Sequence, residues 1–174
     1  SQSFGTRQLN ERLYLDHAAT TPVLSVARQA MLEGLKHWAN PSSPHAEGRA
    51  ARAALEDARE RIKAALGWEH ELIFTSGASE ALSIALGRSV ADAFIVSAVE
   101  HDAVHRSAPE AYFLPVATDG LVARDALFGR LAALGAKQPL VAIQHVNNET
   151  GVIQPLEELG AVVRQAGGIL LADC

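Results

Sequence analysis

The sequence predicts an α/β fold in which a mainly parallel sheet carries helices on both faces. From Leu72 onward, short apolar runs alternate with stretches of helical spacing, which implies right-handed crossovers between parallel strands. In addition, four apolar runs end at polar signatures, at residues 75–80, 100–101, 145–149 and 173. Because open α/β sheets bind ligands beyond the carboxyl ends of their strands, we expect these signatures to converge at one site.

Composition narrows the class of protein. The chain has 174 residues, of which 48% are hydrophobic, and a formal net charge of -5. This length can bury a domain core, and the acidic balance argues against nucleic acid as a partner. No apolar stretch approaches the roughly 20 residues of a spanning helix, and residues 1–12 lack a signal pattern. We therefore expect a cytoplasmic protein without a membrane partner.

The first half of the chain predicts two helices. Apolar residues recur at helical spacing over 26–38, and the proline-rich segment 40–44 ends that pattern. Residues 46–66 are rich in Ala, Arg and Glu and predict a long amphipathic helix closed by Gly67. The small residues of segment 16–22 predict a loop that contacts a ligand.

The second half predicts strands separated by helices. The expected strands are 72–74, 94–98, 112–116, 140–143 and 169–172. The last of these ends two residues before Cys174, without a following helix to cover it, which is more typical of a truncated domain than of a natural end. A single cysteine excludes an internal disulfide and a thiolate cluster made by this chain alone.

Residues 75–80 join a strand to a helix through small side chains and predict an anion-binding turn. Free backbone N–H groups at a helix start attract anions such as phosphate. The alternative is an ordinary capped helix, with Ser76 or Ser79 as N-cap and Glu80 in the first turn. Neither GxGxxG nor GxxxxGK[ST] occurs in the sequence, so neither a dinucleotide fingerprint nor a P-loop explains this turn.

Charged and aromatic groups follow the other strands. Asp173 emerges from a buried run and would favour a protonated ring nitrogen, although an Asp that starts a turn has comparable weight. His101 is expected to end the strand that begins near Phe94, where an imidazole could stack on a flat ring and move protons. With His105 it forms an HxxxH pair, but no third ligand accompanies it, so we expect no metal and a partly exposed His105.

Segment 145–151, HVNNETG, places two amides and a carboxylate just beyond a predicted strand. Such a set of groups suits hydrogen bonds to a ring hydroxyl or a substrate carboxylate. A structural loop held by its Asn side chains is the alternative, and we favour the binding role.

These motifs resemble the amino-terminal half of NifS/IscS-type cysteine desulfurases, which are pyridoxal-phosphate-dependent enzymes of the class V aminotransferase superfamily. The resemblance begins at Tyr14 and rests on five ordered motifs: YLDHAATTP (14–22), NPSSPHAEGRAAR (40–52), FTSGASEAL (74–82), VEHDAV (99–104) and HVNNETGVIQP (145–155). It implies the fold-type I large domain, present incompletely, with residues 1–22 joining the small domain and 23–174 forming the first part of the large cofactor domain. It also implies a homodimer.

The resemblance assigns roles residue by residue. Gly77, Ala78 and Ser79 match the turn that holds the phosphate of pyridoxal 5'-phosphate, with Ser in place of the usual Thr. His101 matches the catalytic residue that stacks on the ring, and Asn148 lies near the ring hydroxyl and the substrate carboxylate. Asp173 pairs with the ring nitrogen.

The implied reaction converts L-cysteine to L-alanine, with the sulfur passed on as a persulfide to an acceptor or an iron-sulfur scaffold protein. The family's Schiff-base lysine and acceptor cysteine have no match here, so we expect this chain alone to be inactive. None of Lys36, Lys63 and Lys137 lies in the family's lysine motif, and Cys174 is expected to be buried and structural. The alternatives are another class V enzyme, either an aminotransferase or a selenocysteine lyase, and a non-catalytic half-fold partner module.

Overall fold

The computed structural model describes residues 13–14, 17, 20–135 and 137–174. They form two compact units, one containing the described residues up to Ile73 and the other comprising Phe74–Cys174. Residues 16, 18 and 19 of the predicted ligand-contacting loop (16–22), and residues 1–12, 15, 16, 18 and 19 of the predicted N-terminal segment (1–22), lie outside the described residues. Among the helices that the structure describes, none has the length and apolar character that a membrane crossing requires.

The first unit contains two helices, α1 (Ser25–Lys36) and α2 (Ala46–Leu66), which confirms both predictions. The His45 side chain caps α2 by accepting a hydrogen bond from the Gly48 N–H at 3.2 Å. At the other end Gly67 adopts a left-handed conformation, with φ at 61°, as its position after the last apolar residue predicts.

The strand predicted at 72–74 is wrong. These residues form no strand, and Ile73 is 77% exposed. A strand exists only where a neighbouring strand accepts its backbone hydrogen bonds, and no described segment pairs with this one. The apolar run therefore has no regular secondary structure and precedes the next helix along the chain.

The second unit is built on a four-stranded sheet in which all neighbouring strands are parallel. The strands, in the spatial order β2-β1-β3-β4, are β1 (Ala93–Ser97), β2 (Tyr112–Leu114), β3 (Pro139–Gln144) and β4 (Ile169–Asp173). They confirm four of the predicted strands to within two residues. At the end of the sheet Gln144 of β3 is in register with Asp173 of β4.

Helices cover both faces of this sheet, which confirms the predicted fold class. They are α3 (Ala78–Gly87), α4 (Asp102–Ser107), α5 (Arg124–Leu134) and α6 (Leu156–Gln165). The core on one face contains apolar residues of α3 and α4, and the core on the other face contains those of α5 and α6. The central strand β3 is buried throughout; its Leu140 and Ala142 face the first core, whereas Val141 and Ile143 face the second.

The second strand is shorter than predicted because the chain turns away after Leu114. Val116 forms an isolated antiparallel bridge with Val122 instead. The buried Gln154 holds this turn: its Oε1 accepts the Val122 N–H at 2.9 Å and its Nε2 donates to the Gly120 carbonyl at 2.8 Å.

Candidate cofactor site

Three of the four polar signatures lie at one edge of the sheet. Residues 100–101 follow β1, residues 145–149 follow β3, and Asp173 ends β4, and these three strands are adjacent and parallel. The helices that follow β1 and β3 pack on opposite faces. Neighbouring strands whose connections leave in opposite directions open a crevice at their carboxyl ends, where ligands of such folds bind.

The fourth signature precedes α3. This helix packs on one face of the sheet and returns to β1 through residues 88–92. It therefore runs back along the sheet, and its first turn lies towards the carboxyl edge.

The start of α3 offers backbone donors. Gly77 is the N-cap, and no side chain caps this helix, so the alternative in which Ser76 or Ser79 is the N-cap is wrong. Glu80 lies in the first turn, where its Oε2 accepts the Ser76 N–H at 2.6 Å; this bond holds the pKa of the Glu80 carboxyl below its usual range. No described residue accepts a hydrogen bond from the N–H of Ala78 or of Ser79.

The approach to these donors is open. A Cβ added at Gly77 would meet no atom within 4 Å, and Ser79 is exposed. Free N–H groups, a hydroxyl and the positive end of the helix dipole are the groups that bind an anion. The turn thus fits a phosphate by the chemistry of its donors.

The prediction that His101 ends a strand is wrong. β1 ends at Ser97, and His101 is the N-cap of α4. Its Nδ1 accepts the Ala103 N–H at 3.1 Å, so a neutral imidazole carries its proton on Nε2. The residue is exposed, so its side chain is accessible to a ligand.

His105 has a structural role. Its Nε2 lies 3.2 Å from the Ser97 carbonyl oxygen, and its ring packs edge-on against Phe113 with centroids 5.3 Å apart. The residue is half-buried, which confirms the expected partial exposure. Within the part of the chain that the structure describes, no group of three or more His, Cys, Asp or Glu side chains could hold a metal ion.

The two asparagines of the 145–151 loop have different environments. Asn147 is buried, and its Oδ1 accepts hydrogen bonds from the Glu149 N–H, the Thr150 N–H and the Thr150 hydroxyl at 2.8–3.0 Å. Its Nδ2 donates to the Val99 carbonyl at 3.3 Å. Asn148 is exposed. The structural reading of this loop therefore holds for Asn147, whereas a binding role for the exposed Asn148 stays a prediction.

Asp173 ends the edge strand β4 and is half-buried. Its carbonyl oxygen accepts the His145 N–H at 2.7 Å, which joins the end of β4 to the loop that carries Asn148. The prediction that Cys174 is buried is wrong, because its side chain is exposed. The residue follows the last position of a strand that pairs with β3 alone.

Glu100 is a polar residue of this edge to which the sequence assigned no role. It is 7% exposed, and its Oε1 accepts the Gln144 N–H at 2.8 Å. Burial raises the pKa of its carboxyl to about 7. In the sequence, the only indication of a role for Glu100 is that its carboxylate comes three residues after a buried strand. That the carboxylate itself is buried is evident only from the fold.

Comparison with known proteins defines the family. A family described as aminotransferase class-V matches residues 13–174. The chain belongs to the class-V aminotransferase family. A cysteine desulfurase IscS of Dictyoglomus turgidum is 39% identical over 90% of this chain and 43% of its own length. A cysteine desulfurase of Cereibacter sphaeroides is 37% identical over 94% of this chain and 46% of its own length.

Solved structures agree with this assignment. The X-ray structure of a NifS-like protein from Rickettsia africae superposes with a TM-score of 0.84 at 29% identity, covering 93% of this chain and 47% of that one. DndA from Streptomyces lividans gives a TM-score of 0.73 at 35% identity, covering 93% and 49%. The resemblance of this family member to NifS/IscS-type proteins is therefore confirmed. The chain spans less than half the length of these curated relatives.

Proposed function

We propose that this chain is part of a cysteine desulfurase that releases sulfur from L-cysteine and leaves L-alanine. The observation that carries the proposal is its 37–39% identity to proteins named cysteine desulfurase over at least nine-tenths of its length. The polar groups at the carboxyl edge supply the chemistry that such an enzyme needs. An aminotransferase or a selenocysteine lyase is the second candidate, since the family description names aminotransferases.

Pyridoxal 5'-phosphate is the proposed cofactor, and its pyridine ring, when bound, supplies an electron sink for breaking bonds at the substrate's α-carbon. The N–H groups of Ala78 and Ser79, which follow the open turn at Gly77, and the Ser79 hydroxyl would bind its phosphate. Asp173 would bind the ring nitrogen, and His101 would cover the ring face.

Asp173 has the charge that its role requires. Two opposite charges about 3 Å apart attract by on the order of 5 kcal/mol at an effective dielectric constant near 20. A carboxylate at this position therefore keeps a ring nitrogen protonated.

The two other side chains act on the substrate side. His101 carries its proton on Nε2 in the neutral tautomer, because Nδ1 is occupied by the Ala103 N–H. Its Nε2–H would therefore be available to donate a hydrogen bond to a bound ligand. Asn148, on the loop fixed by Asn147, would hydrogen-bond the ring hydroxyl and the substrate carboxylate.

The Schiff-base lysine and the sulfur-accepting cysteine are proposed to lie outside this chain. Lys36 pairs with Glu33 and Lys63 with Glu60 on their own helices, and Lys137 is exposed beyond α5. We keep the division into an N-terminal small-domain segment (1–22) and a part of the large cofactor domain (23–174). We also propose a cytoplasmic homodimer that passes sulfur to an acceptor or iron-sulfur scaffold protein, as the IscS names of relatives suggest.

Borohydride reduction tests the cofactor assignment. The intact native protein and this 174-residue chain are each incubated with pyridoxal phosphate, reduced, and mapped by mass spectrometry. A reduced adduct is expected on a lysine of the intact protein outside this chain, and an adduct on Lys36, Lys63 or Lys137 would contradict the assignment. Alanine formed from L-cysteine, together with sulfide released by an added thiol reductant, supports the desulfurase, whereas a keto acid would support an aminotransferase.

Substitutions in the intact protein test the binding residues. Ser79→Ala and Asp173→Ala are each expected to weaken pyridoxal phosphate binding, by about tenfold or more for the charged contact. The controls are Ser83→Ala, an exposed position on the same helix, and Asp125→Ala in the first turn of α5. Equal binding by Ser79→Ala and Ser83→Ala would refute the phosphate role of Ser79.

A further inference from the structure

Glu100 lies between two strand ends and buries a carboxyl group there. Its Oε1 accepts the Gln144 N–H at the end of β3. Its Oε2 is buried and has no hydrogen-bond partner among the described residues. An unpaired buried carboxylate oxygen costs stability, so its presence at the ligand-binding edge calls for a functional explanation.

Gln144 connects Glu100 to Asp173. It is in register with Asp173 across the β3–β4 pair, and the next N–H along the chain, that of His145, donates to the Asp173 carbonyl. The Gln144 side chain also donates to the Val99 carbonyl at 2.5 Å. The turn after β1, the end of β3 and the end of β4 are thereby joined by consecutive hydrogen bonds.

The two carboxyl groups also interact through their charges. Burial is the largest cause of the raised pKa of Glu100, the Gln144 N–H and the Ser97 hydroxyl oppose it, and the charge of Asp173 adds to the rise. Asp173 is the charged group of the described chain that acts on Glu100. Because such an interaction is mutual, an ionised Glu100 also adds negative potential wherever Asp173 meets a cation.

We propose that Glu100 is a positioning residue for Asp173, which holds the end of β3 through the Gln144 backbone and adds its own charge to the field that Asp173 presents to a bound cation. The inference rests on the proposed function, because the cation is the protonated ring nitrogen of pyridoxal phosphate. Glu100 itself need not touch the cofactor. It acts on Asp173 through the hydrogen bonds at the end of β3 and through the electrostatic field of its own carboxylate.

The first test needs no cofactor. Glu100 binds a proton more tightly in the folded protein, where its pKa is about 7, than in the unfolded chain, where it is near 4.5. As pH rises, the unfolded state therefore loses this proton at a lower pH than the folded state does. The free energy of unfolding of wild type consequently falls, relative to that of Glu100→Gln, between about pH 4.5 and about pH 7. Above about pH 7 the difference in free energy of unfolding between the two proteins no longer changes with pH.

Urea unfolding of the cofactor-free intact protein between pH 4.5 and 8 measures this window for wild type and Glu100→Gln. The same pair is compared in an Asp173→Asn background, where the upper end of the window is expected at lower pH because the raising charge is gone. Burial of Glu100 alone would give the same pH window in both backgrounds. A window whose upper end does not move in Asp173→Asn would therefore overturn the coupling, as would a stability difference that does not depend on pH. The exposed Glu110→Gln is the control.

Should Glu100→Gln fail to fold, infrared spectroscopy of wild type and Asp173→Asn follows the same titration without altering Glu100. A protonated carboxyl band that disappears near pH 7 in wild type and at lower pH in Asp173→Asn supports the inference. A band that titrates at the same pH in both proteins would overturn it.

The second test measures equilibrium binding of pyridoxal phosphate to the intact apo protein at pH 6 and pH 8. Glu100→Gln is expected to bind about fivefold more weakly than wild type at pH 8, where Glu100 is ionised, and nearly equally at pH 6. Equal binding at both pH values would overturn the inference while leaving the proposed function intact. Failure of wild type to bind would instead refute the proposed function, and the cofactor-free measurements would still decide the coupling.

Discussion

At the scale of single residues, Asn147 and Asn148 are adjacent in sequence but differ in burial and hydrogen bonding. Asn147 accepts three hydrogen bonds inside the 145–151 loop, and Asn147→Ala would leave those donors without their acceptor. We expect a loss of about 2–3 kcal/mol in the free energy of unfolding. Urea unfolding of the intact protein measures it.

Asn148→Ala is the matched variant. Its side chain is exposed, so we expect a stability change within about 0.5 kcal/mol together with weaker binding of pyridoxal phosphate or L-cysteine. Titration of the apo protein checks the binding. Equal destabilisation by the two variants, or unchanged binding in Asn148→Ala, would contradict this division of roles.

The sequence predicts which residue types meet at the site but not how each is buried. Asp173 and the 145–149 signature were expected at one edge because strand ends define that edge. The burial of Glu100 depends instead on the strand ends that enclose it, which local sequence does not specify.

At the scale of elements, the two helices of the first unit contain a matched pair of glycines. A Cβ at Gly48, in the first turn of α2, would lie 2.4 Å from the Ser43 carbonyl oxygen and 2.8 Å from that of Asn40. Gly48→Ala is therefore expected to destabilise the protein by about 3 kcal/mol, because backbone atoms must move.

Gly34, in α1, has no atom within 4 Å of an added Cβ. Gly34→Ala is expected to stabilise by about 0.5–1 kcal/mol, since alanine loses less backbone entropy in a helix. Thermal unfolding followed by circular dichroism compares both variants with wild type. If both substitutions changed the stability in the same direction, contact with the 40–44 turn would not be what determines the effect of Gly48→Ala.

Helices were predicted more accurately than strands, for a physical reason. The end of α2 is set by groups within the same segment, such as the left-handed Gly67, and these are visible in the sequence. A strand depends on a distant partner. The apolar runs of β1 and β3 pair with each other, whereas the equally apolar run at 72–74 pairs with no described strand.

At the scale of the whole molecule, burial is unequal between the two units. Every residue of β3 is buried, whereas α1 buries none, and Met31 and Leu35 are exposed at 65% and 61%. The sheet of the second unit, with a core on each face, therefore holds most of the packing that resists unfolding. The candidate site lies on this sheet, so its geometry depends on the unit that contains both buried cores.

Hydrogen exchange of the 174-residue chain tests this inequality. Amides of β3 open only when both cores open, whereas those of α1 open without loss of buried contacts. We expect α1 amides to exchange at least about a thousandfold faster than β3 amides, a ratio that corresponds to ~4 kcal/mol at 25 °C. Mass spectrometry of peptides from the two segments gives both rates in one experiment. Equal protection of α1 and β3 would mean that apolar contacts of α1 contribute as much to the folded chain as the sheet core does, because exchange then requires the same global opening.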